Sequence, residues 1–199
     1  MPEESGFPKR GNRLTAALGQ GVLGLLGWRI EGTLPDLPHC VVIVAPHTSN
    51  WDFVLGLAAI LALRVRLDWL GKAAISRFPF RGLLQWLGGI PVDRTNPEGV
   101  VEDALRHLRG RERLFLGLSP EGTRKRVGRW KSGFYRIAHA AGVPIFLASL
   151  DYRCRAVGLG PLVHPTGYYD SDLRGIQAHY VSAMARIPEH YQDASPMID

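Results

Sequence analysis

The amino-acid sequence predicts an α/β fold, a layered and mostly parallel or mixed sheet flanked by helices. Short apolar runs that suit buried strands alternate along the chain with segments of helical periodicity. The length of 199 residues suits one domain, and a hydrophobic content of 46% can fill its core. Because no repeat, low-complexity tract or linker interrupts this pattern, we predict that residues 1–199 form a single domain.

Each predicted element in the first half of the chain has its own pattern. The run at 41–45 is apolar at every position, which predicts a strand buried on both faces. Residues 51–63 are apolar on all sides of a helix, which predicts an internal helix. Apolar and charged residues alternate across 65–70, which predicts a half-exposed strand. A short helix between Pro79 and a pair of glycines precedes a strand at 90–92.

The second half opens with a strong helix start. Asn96 can cap the helix, Pro97 suits its first position, an acid follows in the first turn, and Gly110 ends it. The remaining elements continue the alternation of apolar runs and helical stripes, with strands at 114–118, 143–150 and 155–163 and helices at 132–142 and 170–186. We expect disorder at the two chain ends, in residues 1–10 and 188–199.

Residues 1–30 form an N-terminal amphipathic segment. Arg10 and Arg13 precede a helical stripe of Leu14, Leu18, Val22, Leu25 and Leu26. The stripe either packs on the domain core or lies in a membrane interface, where the bases meet anionic lipid. No apolar run reaches the length of about 18 residues that spans a bilayer, and no secretory signal is present. We therefore expect a cytoplasmic protein, peripherally associated with the inner face of the cell membrane.

The formal net charge of +6 reflects 24 Lys and Arg against 18 Asp and Glu. It predicts an anionic partner, which is a phosphate-bearing substrate, an anionic membrane surface or nucleic acid. No helix-turn-helix, RNP or zinc-finger pattern supports nucleic acid. Cys40 and Cys154 have neither a CxxC spacing nor a metal-ligand spacing, so we expect reduced thiols and no metal site.

The segment "PHTSNWD", residues 46–52, places a histidine and an aspartate where a strand meets a helix. Ser49 to Asp52 fits a capping box, in which Asp52 binds an N-terminal amide and His47 is a loop residue. The same geometry lets Asp52 orient the His47 ring and leave its other nitrogen free as a base. Because the chain has no G-x-S-x-G turn, H-E-x-x-H motif or P-loop, such a base would deprotonate a substrate hydroxyl or water.

A basic loop, "SPEGTRKRVGRWK" at 119–131, follows a predicted buried strand directly, where α/β sheets bind ligands. Glu121 can accept a hydrogen bond from a substrate hydroxyl, and Gly122 permits a left-handed turn beside a ligand. Thr123 can donate a hydrogen bond, and Arg124 can bind a phosphate through two parallel bonds. The other bases of the loop fit an ordinary solvated surface equally well.

Two further cations follow predicted strands. Arg94 comes after the strand at 90–92, and Lys72 comes after the strand at 65–70. Both are candidates for additional contacts to a phosphate. The glycine pair before the strand at 90–92 is interpreted as an ordinary helix stop.

Together these segments resemble the glycerolipid acyltransferase family, whose best-known members make phosphatidic acid from lysophosphatidic acid. His47 and Asp52 match its H-x4-D motif, and residues 121–124 match its E-G-T-R motif. The resemblance covers roughly residues 28–150. Two more family blocks have counterparts in the same order, at Lys72, Pro79, Gly82, Gly88 and Arg94 and at Val143, Pro144 and Ile145.

The resemblance implies a glycerol-3-phosphate acyltransferase-like fold and an acyltransferase activity. The fatty acyl group would move from acyl-CoA or acyl carrier protein to the hydroxyl of a lysophospholipid such as 1-acyl-glycerol 3-phosphate. It implies His47 as general base, Asp52 as its orienting carboxylate, and no cofactor beyond the acyl co-substrate. The residues implied to bind the acceptor and its phosphate are Glu121, Gly122, Thr123, Arg124, Arg94 and Lys72.

Two other functions stay open. The acceptor can be a non-phosphate lipid, with O- or N-acylation of the ornithine-lipid type. The chain can also be a non-catalytic lipid-binding module, although a pure binding protein has no need of the His47 and Asp52 pair.

Overall fold

The computed structural model describes residues 6–72, 81–92 and 96–194. The helices in these ranges are α1 (Arg13–Leu25), α2 (Asn50–Leu63), α3 (Arg81–Trp86), α4 (Pro97–Arg109), α5 (Gly133–Ala141) and α6 (Tyr169–Gln177). The strands are β1 (Arg29–Gly32), β2 (His39–Ala45), β3 (Leu67–Lys72), β4 (Gly89–Val92), β5 (Leu114–Leu118), β6 (Ile145–Asp151) and β7 (Ala156–Val163). Single turns of 3₁₀ helix follow at Ser182–Met184 and Pro188–His190.

The strands of the described ranges form one sheet in the order β1-β7-β6-β2-β5-β3-β4. β6 and β7 are antiparallel, and the other neighbouring pairs are parallel, which confirms the predicted α/β fold with a mostly parallel, mixed sheet. β6, β2 and β5 are adjacent and parallel, so their carboxyl ends reach the same edge of the sheet. The segments that follow these three strands build the candidate site.

β2 shows why the central strands are apolar at every position. Val41, Ile43 and Ala45 face a core formed with α4, α5 and α6, whereas Cys40 and Val42 face a second core on the side of α2. A strand between two helical layers buries both faces, so it has no polar face. The strand predicted at 41–45 is therefore confirmed, and its buried end fixes where the His47 loop begins.

α1 packs against α2 through a close approach at Gly19. A Cβ there would lie 2.5 Å from the carbonyl oxygen of Ala58 and from the amide nitrogen of Ala62, so a larger residue would push the helices apart. Leu23 is buried beside it. Leucines on the opposite side of the helix are exposed, with 79%, 62% and 89% of their area accessible at Leu14, Leu18 and Leu25.

Among the described residues, no helix combines the length and the apolar character that crossing a bilayer requires.

The chain after β7 differs from the prediction. α6 ends at Gln177 rather than near residue 186, because the segment beyond it turns back and buries Tyr180 and Tyr191 against the core. The predicted disorder is therefore wrong for residues 188–194. The short edge strand β1 was not predicted, since its four residues carry no apolar run.

Asp68 in β3 is buried, although the alternating pattern predicted that it would face solvent. Its carboxylate lies 3.3 Å from guanidinium nitrogens of Arg10 and Arg66 and 3.0 Å from the Nε2 atom of His107. These partners offset the cost of removing the charge from water. Arg10 is thereby bound to the domain.

Candidate active site

The loop between β2 and α2 is held by a capping box. The side-chain oxygen of Ser49 accepts the N–H of Trp51 at 3.2 Å, and the Oδ2 atom of Asp52 accepts the N–H of Ser49 at 2.7 Å. The same Oδ2 atom accepts the N–H of Thr48, also at 2.7 Å. Asp52 therefore fixes the backbone of the loop on which His47 lies.

The His47 ring lies against the same carboxylate. Its Nδ1 atom is 3.3 Å from Oδ2 of Asp52, and the two side chains are 21% and 1% exposed. The helix cap and the histidine–aspartate pair thus coexist in one structure, as their shared geometry suggested. Within the described ranges, Nε2 of His47 has no hydrogen-bond partner, so this nitrogen is available to exchange a proton with a ligand.

The environment of Asp52 keeps it ionised. Burial raises its pKa, but hydrogen bonds from His47, Tyr152 and the Ser49 amide outweigh burial and hold the pKa below its usual value. An ionised carboxylate beside Nδ1 stabilises a protonated imidazole. The pair can therefore accept a proton at Nε2.

Tyr152 is a partner that the sequence analysis missed. It directly follows β6, and its hydroxyl donates to Oδ1 of Asp52 at 2.7 Å. One hundred positions separate the two residues, so no local motif joins them. The available signal was topological, because β6 was predicted as a strand and residues at strand ends meet at one edge of the sheet.

Glu121 supports the His47 loop from the end of β5. Its Oε1 atom accepts the backbone N–H of His47 at 2.7 Å, and the residue is only 2% exposed. Oε2 has no hydrogen-bond partner among the described residues. Burial, followed by the nearby Asp52 charge, raises the pKa of Glu121 to about 8, although the His47 amide bond acts in the opposite direction.

The raised pKa of Glu121 predicts a pH-dependent stability. Between its usual pKa of 4.5 and its folded pKa of about 8, the folded protein keeps a proton that the unfolded chain has lost. The free energy of unfolding should therefore fall as the pH rises through this window, by up to about 1.4 kcal/mol per pH unit. Glu121→Gln keeps an acceptor for the His47 amide but cannot ionise, so it should flatten the decline in urea-unfolding free energy.

The matched control is Glu102→Gln, which changes an exposed glutamate on α4. It should retain the wild-type dependence on pH. Parallel curves of unfolding free energy against pH for Glu121→Gln and the wild type would contradict the assignment of the decline to Glu121.

The rest of the E-G-T-R segment lies at the surface. Gly122 has a φ of +66°, in the left-handed region that a glycine permits, and the Lys131 side chain lies close beside it. Thr123 and Arg124 are exposed. The structure thus brings Glu121 to the base of the His47 loop and places Arg124 on the solvent side of the same strand end.

The described part of the structure does not include the side chains of the other two predicted cations. Arg94 lies outside the described residues. Lys72 is the last residue of β3, whose backbone neighbours β5, but its side chain is not among the described ones.

A pocket of about 260 Å³ adjoins the Asp52–Tyr152 contact. Its walls combine apolar side chains with Tyr152 and two arginines. The lining residues come from the segment after α1, the first turns of α2, the connection between β6 and β7, and the C-terminal segment: Leu26, Trp28, Trp51, Leu55, Tyr152, Arg155 and Arg186.

Comparisons with known proteins agree with this fold. The sequence model of the Acyltransferase family matches residues 30–149, which span both the His47 pair and the Glu121 loop. The crystal structure of the 1-acyl-sn-glycerophosphate (LPA) acyltransferase PlsC from Thermotoga maritima has a similar fold, with a TM-score of 0.60. The match covers 84% of this chain and 78% of that chain at 18% sequence identity. No curated protein matches the chain significantly. Because the family match spans more than half of its length, the chain belongs to the acyltransferase family and is an acyltransferase enzyme.

Proposed function

We propose that this enzyme transfers a fatty acyl group from an acyl thioester to the hydroxyl of a lysophospholipid such as 1-acyl-glycerol 3-phosphate. The observation that carries the proposal is the His47–Asp52 pair, with Nδ1 held 3.3 Å from a buried carboxylate and Nε2 free of protein partners in the described ranges. Family membership supports acyl transfer, and the enzyme of similar fold is named for a lysophosphatidate acceptor.

The pair suits direct transfer without a protein nucleophile. Nε2 of His47 removes the acceptor hydroxyl proton as the oxygen attacks the thioester carbonyl. The C–O bond forms, the C–S bond breaks, and the imidazolium returns the proton to the leaving thiolate. Asp52 stabilises the imidazolium between these steps, and the reaction requires no cofactor beyond acyl-CoA or acyl carrier protein.

The exposed side of the Glu121 loop is the proposed site for the acceptor phosphate. Arg124 would supply the main charge, with Arg94 and Lys72 as further cations, while Gly122 and Thr123 shape the turn. The buried position of Glu121 supports a further role. Its Oε1 atom accepts the His47 backbone N–H and so positions the loop that carries the base.

The exposed face of α1 is the proposed contact with an anionic membrane at the cytoplasmic side. Leu14, Leu18 and Leu25 present apolar surface to solvent, and Arg13 is exposed at the start of the helix. Leu26, next to this face, lines the pocket beside Tyr152. This continuity supports delivery of a lipid acceptor from the membrane toward the site.

Acyl transfer by the purified protein tests the proposal. Labelled acyl-CoA and labelled acyl carrier protein thioester should be supplied as donors in separate assays. The acceptor, presented in anionic vesicles, is either lysophosphatidate or an amine-bearing lipid without phosphate. We expect labelled diacyl product with lysophosphatidate that is absent from a His47→Ala preparation. Product with only the amine-bearing lipid would favour the ornithine-lipid type of acceptor. Vesicle binding without any turnover would favour a binding module.

Arg124 should control the affinity for the acceptor. Arg124→Ala removes a charge-assisted pair of hydrogen bonds, so the acceptor KM should rise about 10- to 100-fold while the donor KM stays unchanged. Steady-state kinetics with lysophosphatidate measures both constants. Arg126→Ala, which removes an exposed base from the same loop, is the matched control. An equal rise in both variants would show that only the overall positive charge matters.

A further inference from the structure

Tyr152 contacts the one oxygen of Asp52 that the helix cap leaves open. Oδ2 accepts the Thr48 and Ser49 amides and faces His47, whereas Oδ1 accepts the Tyr152 hydroxyl at 2.7 Å. Tyr152 lies beyond residue 149, where the family match ends. The motifs that identify the family therefore do not include this contact.

Three contacts hold Tyr152 in position. Its ring packs edge-on against Trp28, with ring centres 4.8 Å apart, and its N–H donates to the carbonyl of Met184 at 2.9 Å. The guanidinium of Arg186 lies 5.9 Å from the centre of the Tyr152 ring and 5.3 Å from that of Trp51. The Tyr152 ring thus contacts Trp28 and Arg186, and its backbone is bound to the C-terminal segment.

The C-terminal segment that supplies Met184 and Arg186 also contacts the catalytic loop. The N–H of Ile187 donates to the side-chain oxygen of Thr48 at 3.3 Å. The segment therefore connects the end of β6 to the loop that carries His47.

Burial, and next the Asp52 carboxylate, hold the pKa of Tyr152 well above its usual range, so the phenol stays a donor at neutral pH. A hydrogen bond to an ionised carboxylate shares its negative charge. The titratable or charged groups around the pair are His47 in the loop, Glu121 after β5, Tyr152 after β6 and Arg186 in the C-terminal segment.

We infer that Tyr152 is a positioning residue for the His47–Asp52 pair, whose hydroxyl fixes Oδ1 and moderates the charge that Asp52 presents to the imidazole. The inference rests on the proposed function, in which His47 must be neutral to accept a proton. Without the hydroxyl, the carboxylate would stabilise the imidazolium more strongly. The base would then stay protonated to a higher pH.

Tyr152→Phe tests this inference because it keeps the ring contacts and removes only the hydroxyl. In NMR titrations of histidine-labelled free enzyme, the His47 signal is the one that His47→Ala abolishes. We expect its titration midpoint to move up by about half a pH unit in Tyr152→Phe. In the pH–rate profile, kcat/KM on the acidic limb should fall about threefold, with no change in the KM of the acceptor.

Tyr168→Phe is the control, because Tyr168 is 77% exposed. It should leave the midpoint unchanged. An unmoved or lowered midpoint in Tyr152→Phe, or an equal shift in the control, would overturn the inference, since a purely structural hydroxyl would change only the melting temperature. The titration needs no substrate, so a shifted midpoint in a protein without acyl transfer would refute the proposed function alone. To separate the titration of His47 from that of Glu121, the comparison of Tyr152→Phe with the unmodified enzyme should be repeated in a protein that also carries Glu121→Gln.

Discussion

Replacing His47 with alanine should reduce acyl transfer by about 10²- to 10⁴-fold or more, the usual contribution of a general base. The melting temperature should change little. The bond that anchors the loop to Glu121 comes from the His47 backbone, which alanine retains. The Asp52 bonds to the Thr48 and Ser49 amides also remain. Initial rates with acyl-CoA and lysophosphatidate, together with a thermal melt, provide the two measurements.

His164→Ala is the matched control, since His164 is exposed beyond the end of β7. It should keep both the rate and the melting temperature of the wild type. Full activity in His47→Ala would refute the proposed mechanism. A large fall in its melting temperature would show that the ring, and not the backbone, holds the loop.

The parts of the fold that the sequence predicted are those with a local pattern. The apolar run at 41–45 became a central strand because both of its faces are covered by helices. The four residues of β1 pair with β7 across more than 120 positions, and nothing local distinguishes them. The charge pattern misplaced Asp68 because three of its partners come from two distant segments, Arg10 before α1 and His107 and Arg111 at the end of α4.

The same distinction applies to the site. His47 and Asp52 lie on one loop and one helix turn, so spacing alone brought them together. The groups that hold them, Glu121 and Tyr152, come from the ends of two other strands. Sequence reasoning selected Glu121 for its motif and gave it the role of binding the acceptor hydroxyl. Only the strand order showed that β5 and β6 place both side chains beside the end of β2.

Replacing Asp52 with alanine should damage both stability and activity, in contrast to the His47 variant. Asp52 is 3% exposed and accepts hydrogen bonds from two backbone amides and a phenol. Alanine would leave these donors without their partner at the start of α2. At about 1–3 kcal/mol for each unsatisfied group, the free energy of unfolding should fall by about 3 kcal/mol or more. Urea unfolding measures this loss, and activity should also fall, by up to the factor expected for His47.

Asp52→Asn separates the two roles of the residue. Its single amide oxygen can still accept the Thr48 and Ser49 amides, and its NH₂ group can donate to the Tyr152 hydroxyl, so most of the stability should return. Activity should stay low, because a neutral amide cannot stabilise the imidazolium that forms when His47 takes a proton. The matched control is Asp170→Ala, which removes an exposed acid from the first turn of α6. This change should reduce stability and activity only slightly. If Asp52→Asn recovered stability and activity together, the aspartate would be a helix cap with no part in proton transfer.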